Sequence, residues 1–373
     1  MKIVHVSQPV EAGVAVVALD LALAQQARGW AVTLVCPPSG WLPERAQELG
    51  IDVRGWAVTR QPGRRSLGEA VRLRRILAGL APDVVHLHSS KAGLAGRLAL
   101  RGKLPTVFQP HLWSFEVAGG PLRRACVTWE RLASRWTHLI VCVSDDELVT
   151  GRAAGVSATA EIVCNGVDTE RLLPRDRAAA RRRLGLDPDV PIAVCVGRLA
   201  ELKGQDQLLS AWPAVLEKLP GAELVLVGDG PMGPAWRTGH PMAGHGSVRW
   251  QGHCDDPAAY YTAADVVVLP SRAEGMALVP LEAMSCARSV VAFDVGGVRQ
   301  SVGDAGTVIP AGNLPALADA VAARLADPGL AAAEGRRGRR RAELLFDRTR
   351  MTDQIVTLVD KLAHEHSKSG RTA

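Results

Sequence analysis

Short apolar, β-branched runs alternate along this chain with longer stretches whose apolar residues recur every three or four positions. The first pattern reads as strands buried on both faces, the second as amphipathic helix. In the first half, strands are predicted at Lys2–Val6, Ala31–Cys36, Ile51–Ala57, Asp83–His88, Thr106–Gln109 and His138–Val143. Helices fall between them, among them Ala15–Ala27, Glu69–Ala78 and Gly119–Trp136. The pattern restarts at Pro191–Gly197 and continues through Glu223–Val227, Ser247–Trp250, Asp265–Leu269 and Ser289–Phe293. A last helical pattern, Thr349–His364, has no strand after it. Such alternation predicts an α/β protein with parallel sheets, built as two Rossmann-like βαβ domains facing across a cleft. The final helix is expected to cross back to the first domain.

The turn signal Asn165-Gly166, followed by the charged run Pro174–Arg183, marks the break between halves. The expected domains are 1–168, joined by the C-terminal helix 346–373, and 169–345. With 373 residues, 47% of them hydrophobic, the chain has material for two cores. No apolar run approaches the ~20 residues of a membrane span. Residues Met1–Ser7 enter a strand directly and lack a signal-peptide layout, so a cytoplasmic protein is expected. The seven cysteines have no paired metal-ligand spacing and read as reduced interior residues. The net charge of +6 is carried mainly by arginine, which suits phosphate-bearing ligands or an anionic membrane face.

Ligands of open α/β sheets bind outside the carboxyl ends of strands. Six segments at those ends carry the candidate chemistry. Ser271–Ala292 places Glu274 in a strand-to-helix loop and Glu282 in the first helical turn, where Pro280 fits because its missing N–H is not needed. Free amides at that turn form an anion site. Taken singly, Glu282 also reads as a helix cap. Gly197–Gly204 follows a strand and carries Arg198 and Lys203, a plausible diphosphate clamp. Gly13, just before the first helix, permits backbone approach to an anion. Gly228 lies in a tight turn, His253 follows Trp250, and His111 sits just past the fifth strand.

Together, Gly197-Arg198-x4-Lys203-Gly204, Val225–Pro231, and Glu274-x7-Glu282 with Leu281–Met284 resemble glycosyltransferase family 4 over nearly the whole chain. The resemblance implies the GT-B fold and retaining, metal-independent sugar transfer from a nucleoside-diphosphate sugar, of UDP or GDP type. It assigns Arg198 and Lys203 to the diphosphate, Glu282 to the ribose hydroxyls and Glu274 to the transferred sugar. The amides at Met276–Leu278 and Gly13 would close over phosphates and sugar. His111 would face the donor sugar or acceptor, and His253 with its neighbours the base region; the Gly228 turn could also sit near the base or be ordinary turn chemistry. No cofactor or metal is implied beyond the donor substrate. The chain departs from the family pattern at Glu11-Ala12-Gly13, where one glycine of a usual pair is missing. It also has Met276-Ala277 where an aromatic and a glycine are common, Cys286–Ser289 without the usual glycine and proline, and Gln300 for Glu.

The acceptor is expected to be a polysaccharide, lipid-linked or natural-product hydroxyl. Trp113, Phe115, Trp129 and Trp136 interleaved with Arg123, Arg124, Arg131 and Arg135, and a second cluster at Arg60, Arg64, Arg65, Arg72, Arg74 and Arg75, suggest peripheral docking on an anionic membrane. Inward packing of the tryptophans is the alternative. Arg336–Arg341 reads as a solvated helix face, and Asp145-Asp146 and Asp255-Asp256 as turns or helix starts. A nucleotide-sugar epimerase or hydrolase of the same fold is the alternative function. Nucleic-acid binding is not expected, because no aromatic-studded basic motif appears.

Overall fold

In the computed structural model the described residues are 1–59, 63 and 65–369; Arg60, Arg64 and the last four positions of the expected C-terminal helix lie outside them. Thirteen strands are present among the described residues: β1 Lys2–Ser7, β2 Ala31–Cys36, β3 Asp52–Gly55, β4 Val84–His88, β5 Thr106–Gln109, β6 Leu139–Cys142, β7 Ala160–Ile162, β8 Ile192–Val196, β9 Glu223–Val227, β10 Val248–Gly252, β11 Val266–Leu269, β12 Ser289–Asp294 and β13 Gly306–Pro310. All pair in parallel. Contacts divide the chain into Met1–Asn165 with the segment from Thr349 onward, and Gly166–Arg348.

The first unit holds a seven-stranded sheet ordered β3-β2-β1-β4-β5-β6-β7. Its strand order reverses between β1 and β4, where His5 lies beside His86 and Ser7 beside His88. Leu87, Phe108, Trp113 and Phe115 belong to its core. The helix Ser89–Leu100 packs closely on this sheet, since a Cβ at Gly93 would stand 2.3 Å from the Phe108 ring.

The second unit holds a six-stranded sheet ordered β10-β9-β8-β11-β12-β13, reversing between β8 and β11. β11 is four apolar residues, all buried, as its sequence run demands. Trp212, on the helix Gln205–Lys218, is fully buried and fills the core over this sheet. Topological switch points are where ligands of doubly wound sheets sit.

Two strands escaped the pattern reading. β7 and β13 are short sheet edges whose residues are mostly half-exposed, so they lack the continuous apolar run of a central strand. The charged run after Pro174 contains a helix, Arg177–Arg183, capped by Asp176. The first helix begins earlier than expected, at Ala12, which puts Gly13 inside the first turn rather than in the loop. Glu282 is the fifth residue of the helix Leu278–Ser285, past the first turn; Pro280 is the third.

Candidate functional site

In the second unit, the loops after β8, β9, β11 and β12 are tied together by backbone. The Gly197 amide donates to Val227 O (2.9 Å), Leu199 to Asp229 O (2.9 Å), and Gly228 to Gly252 O (2.7 Å). The Arg272 amide donates to Leu202 O (2.8 Å) and Gly297 to Gly275 O (2.6 Å). Two close approaches require glycine. At Gly204 (φ +67°) a Cβ would meet Pro270 O at 2.0 Å, and at Gly296 (φ +49°) it would meet Glu274 O at 1.8 Å. These contacts bring the β8 loop against the β11 loop at the sheet's switch point.

The result is a direct pairing of two residues 71 apart in sequence: Lys203 Nζ donates to Glu274 Oε1 at 2.6 Å. Ser271 Oγ donates to the same oxygen at 2.7 Å. Glu274 is buried and Lys203 half-buried. Arg198 is half-buried, with its stem over Gly230 and its carbonyl accepting from Gln205 Nε2 (3.1 Å). Arg272 grips Asp206 through both guanidinium nitrogens, at 2.9 and 2.6 Å, and so braces the loop behind Lys203. Met276 and Ala277 are buried at the entry to the helix Leu278–Ser285, and the Ala277 methyl can accept no bond from its first-turn amides.

Glu282 is no cap. Its Oε2 accepts from the Tyr261 hydroxyl at 2.5 Å. Burial pushes its carboxyl above the usual range, against the opposing pull of that hydrogen bond and of the Arg171 charge. Burial, with the Glu282 charge beside it, pushes Tyr261 well up, so its hydroxyl keeps its proton. Arg171 pairs with Asp256 at 2.7 Å. His253 is exposed, with Nε2 2.9 Å from Asp255 Oδ1. Glu274 and Glu282 thus occupy different settings, one beside a lysine and one beside a phenol.

In the first unit, Ala12 (φ +62°), Ser89 (φ +67°) and His111 (φ +59°) all hold left-handed backbone without being glycine. They follow β1, β4 and β5, three adjacent strands, at their carboxyl ends. Strain of this kind gathers at functional sites. Ala12 stands where the expected glycine pair is broken, and the helix it opens has no side-chain cap and no acidic residue in its first turn. Its N-cap is Glu11, whose carboxylate accepts from the Trp41 amide at 3.2 Å.

His111 lies at the end of a chain of buried imidazoles that the sequence reading missed. His5 Nε2 is 2.6 Å from Gln25 Oε1, His5 Nδ1 is 2.9 Å from His88 Nε2, and His88 Nδ1 is 3.3 Å from His111 Nε2. His86 stacks on His88 with ring centroids 4.2 Å apart. Burial lowers His5 to about 4 and His111 to about 3, and holds His86 and His88 well below the ordinary value. Ring nitrogens of His5, His86 and His88 also lie within 4.8 Å of one another, close enough to share an ion, although the His5–His88 bond already engages two of them. A polar His-x-His inside an apolar strand was the available signal.

Trp113 and Phe115 pack inward, which corrects their reading as membrane-facing residues; Trp129 and Trp136 are half-buried. The run Arg336–Arg341 is not simply solvated. Arg339 donates to the carbonyls of Thr169, Leu172 and Ser285, and Arg341 to those of Gln300 and Ser301. Asp145 starts a helix, as expected. All seven cysteines are free thiols. No helix among the described residues is long and apolar enough to cross a membrane.

Comparison with known families adds two matches: residues 12–171 fit the description Glycosyltransferase Family 4, and residues 190–327 fit Glycosyl transferases group 1. The D-inositol 3-phosphate glycosyltransferase of Actinosynnema mirum is 34% identical over 66% of this chain and 65% of its own length. The chain therefore spans just under two thirds of that relative. The GDP-mannose-dependent alpha-(1-6)-phosphatidylinositol monomannoside mannosyltransferase of Mycobacterium tuberculosis is 31% identical over 84% of this chain and 85% of its own. Among solved structures, sucrose-phosphate synthase from Thermosynechococcus elongatus superposes with a TM-score of 0.83 at 23% identity, covering 97% of this chain and 99% of that one. Anabaena HepE in complex with UDP and glucose gives 0.82 at 23%, covering 96% and 99%. These likenesses make the fold GT-B.

Proposed function

The chain belongs to glycosyltransferase family 4, and from that membership we propose that it moves a sugar from a UDP- or GDP-sugar to an acceptor hydroxyl, with retention at the anomeric carbon and without a metal. The observation that carries the reading is the Lys203–Glu274 pair at the β8/β11 switch point. A departing nucleoside diphosphate gathers negative charge, and Lys203 with Arg198 supplies fixed cations that stabilise it, the work a metal would otherwise do. Glu274 receives both of its bonds on Oε1. Its Oε2 is thus the acceptor for a hydroxyl of the transferred sugar.

Glu282, held by Tyr261, takes the ribose hydroxyls, and His253 and Gly228 lie toward the base. The amides of Met276, Ala277 and Leu278 take the phosphates. In the first unit, His111 is the contact for the transferred sugar or the acceptor, and the amide of Gly13 is an anion donor. The acceptor's proton passes to the leaving phosphate oxygen during front-face attack. The epimerase or hydrolase alternative gains nothing from the relatives, which are named as glycosyltransferases.

The acceptor class we propose is a polyol phosphate of the inositol type, soluble or as a lipid headgroup, following the names of the relatives. A membrane-borne acceptor is supported by two exposed faces in the first unit. Leu122 (60% exposed) and Val117 stand beside Arg123 and Arg124, and Leu67 (70% exposed) and Val71 stand beside Arg72, Arg74 and Arg75. Mass spectrometry of products from a panel of UDP- and GDP-sugars, with inositol phosphates and phosphatidylinositol as acceptors, tests the reaction. Acceptor-independent turnover would favour the epimerase or hydrolase instead. Sedimentation with anionic liposomes at low salt tests the docking, and its absence there removes the membrane arm.

A further inference from the structure

We infer that Gln25 is a positioning residue for His111, acting through His5 and His88 as a one-directional relay of hydrogen bonds. The inference rests on the reading of His111 as a substrate contact, but its physical content lies within the first unit alone.

A neutral imidazole has one donor and one acceptor nitrogen, so a chain of them has a polarity. Gln25 presents Oε1 to His5 Nε2 at 2.6 Å, and an amide oxygen can only accept. His5 therefore carries its proton on Nε2, and its Nδ1, 2.9 Å from His88 Nε2, must accept. His88 is then protonated on Nε2 and accepts at Nδ1 from His111 Nε2, 3.3 Å away. The proton of His111 is committed inward, and its Nδ1 is left as a bare acceptor. Rotating the Gln25 amide would reverse every bond and turn His111 Nδ1 into a donor.

The surroundings keep this chain neutral, and its polarity follows from the Gln25 amide alone, whose Nε2 is buried without a hydrogen-bond partner among the described residues. Gln25, His5, His86 and His88 are fully enclosed, and no carboxylate belongs to the relay. His86 bonds none of the relay residues; it stacks on His88, lies tilted against His5 and faces Gln109. The strained backbone at His111 aims its ring back at His88. A glutamine in the first helix thus decides whether the residue after β5 offers a lone pair or a proton to a sugar hydroxyl.

Long-range 1H–15N correlation spectra of the full chain labelled at histidine, with His111 assigned by loss of its signals in His111→Gln, read the tautomer directly. The expected result is the Nε2–H form for His5, His88 and His111 in the unaltered protein. Gln25→Met should leave His111 as a mixture of tautomers and lower kcat about 10-fold with little change in KM for the donor, while Gln25→Glu, which keeps an acceptor, restores the Nε2–H form. An Nδ1–H form in the unaltered protein, an unchanged tautomer in Gln25→Met, or stoichiometric zinc in the purified chain would overturn the relay. Full activity in His111→Gln, with the Nε2–H tautomer present in the unaltered chain, would instead refute the substrate contact and leave the relay standing.

Discussion

His86 offers a perturbation of the buried histidine cluster, because it is fully enclosed and its ring faces the equally buried Gln109 side chain. Replacing it by leucine roughly keeps the volume but leaves the buried Gln109 amide without its imidazole neighbour, so the variant should fold at pH 7 with a pH-independent loss of about 1 kcal/mol. In the fold, burial first and the neighbouring His5 and His111 second hold His86 well below its ordinary value, against a smaller opposing pull from the Gln109 side chain. In the unfolded chain it titrates near 6.5. Below 6.5 the unfolded state therefore binds the extra proton, and acid destabilises the fold. At about 1.4 kcal/mol per pH unit once titration is complete, the loss between pH 7 and pH 5 is about 2 kcal/mol for this one residue. Two carboxyls of the same unit act in the other direction. Burial raises Glu147 to about 8 and Glu116 to about 7, so acidification favours the fold through them. The bulk pH dependence mixes both signs, and only the difference between variant and parent isolates His86. Urea unfolding followed by hydrogen exchange in β1 and β4 peptides should show His86→Leu gaining about 2 kcal/mol on its parent from pH 7 to pH 5. A gap that stays constant within about 0.5 kcal/mol would mean that His86 protonates alike folded and unfolded, and the reasoning fails.

Four further outcomes follow from the same geometry. Lys203→Ala should lower kcat/KM by about 10²-fold or more, since it removes a fixed cation from the leaving group and leaves Glu274 without its ion partner. Tyr261→Phe should weaken nucleotide binding several-fold by calorimetry, because Glu282 loses the hydroxyl that holds its carboxylate and its pKa rises further. Gly296→Ala should lose folded yield or melt early, because its Cβ would stand 1.8 Å from Glu274 O in left-handed backbone. Exhaustive EDTA treatment should leave the initial rate of transfer unchanged.

Central strands were readable because burial on both faces leaves a continuous apolar run: β2, β5 and β9 have the bounds that the pattern predicts. Edge strands β7 and β13 carry no such run, being half open to solvent, and were invisible to it. The candidate residues of the second unit were legible as individual side chains at strand ends. Their pairing was not, since the Lys203–Glu274 contact depends on two glycine approaches that only the folded loops reveal. Tyr261 gave no signal, because a tyrosine in an alanine-rich helix reads as packing. Of the imidazole chain, only His111 stood outside a strand and drew notice. His5, His86 and His88 were absorbed into apolar runs, and Gln25 into the first helix.

Retaining sugar transfer is measured as acceptor-dependent release of nucleoside diphosphate by the intact chain, with UDP- and GDP-sugars and an inositol phosphate, and with the anomeric configuration of the product read by NMR. Release should require the acceptor, give product of the donor's own anomeric configuration, and fall by about 10²-fold in Lys203→Ala. Inverted product, release indifferent to the acceptor, or equal rates in Lys203→Ala would contradict it.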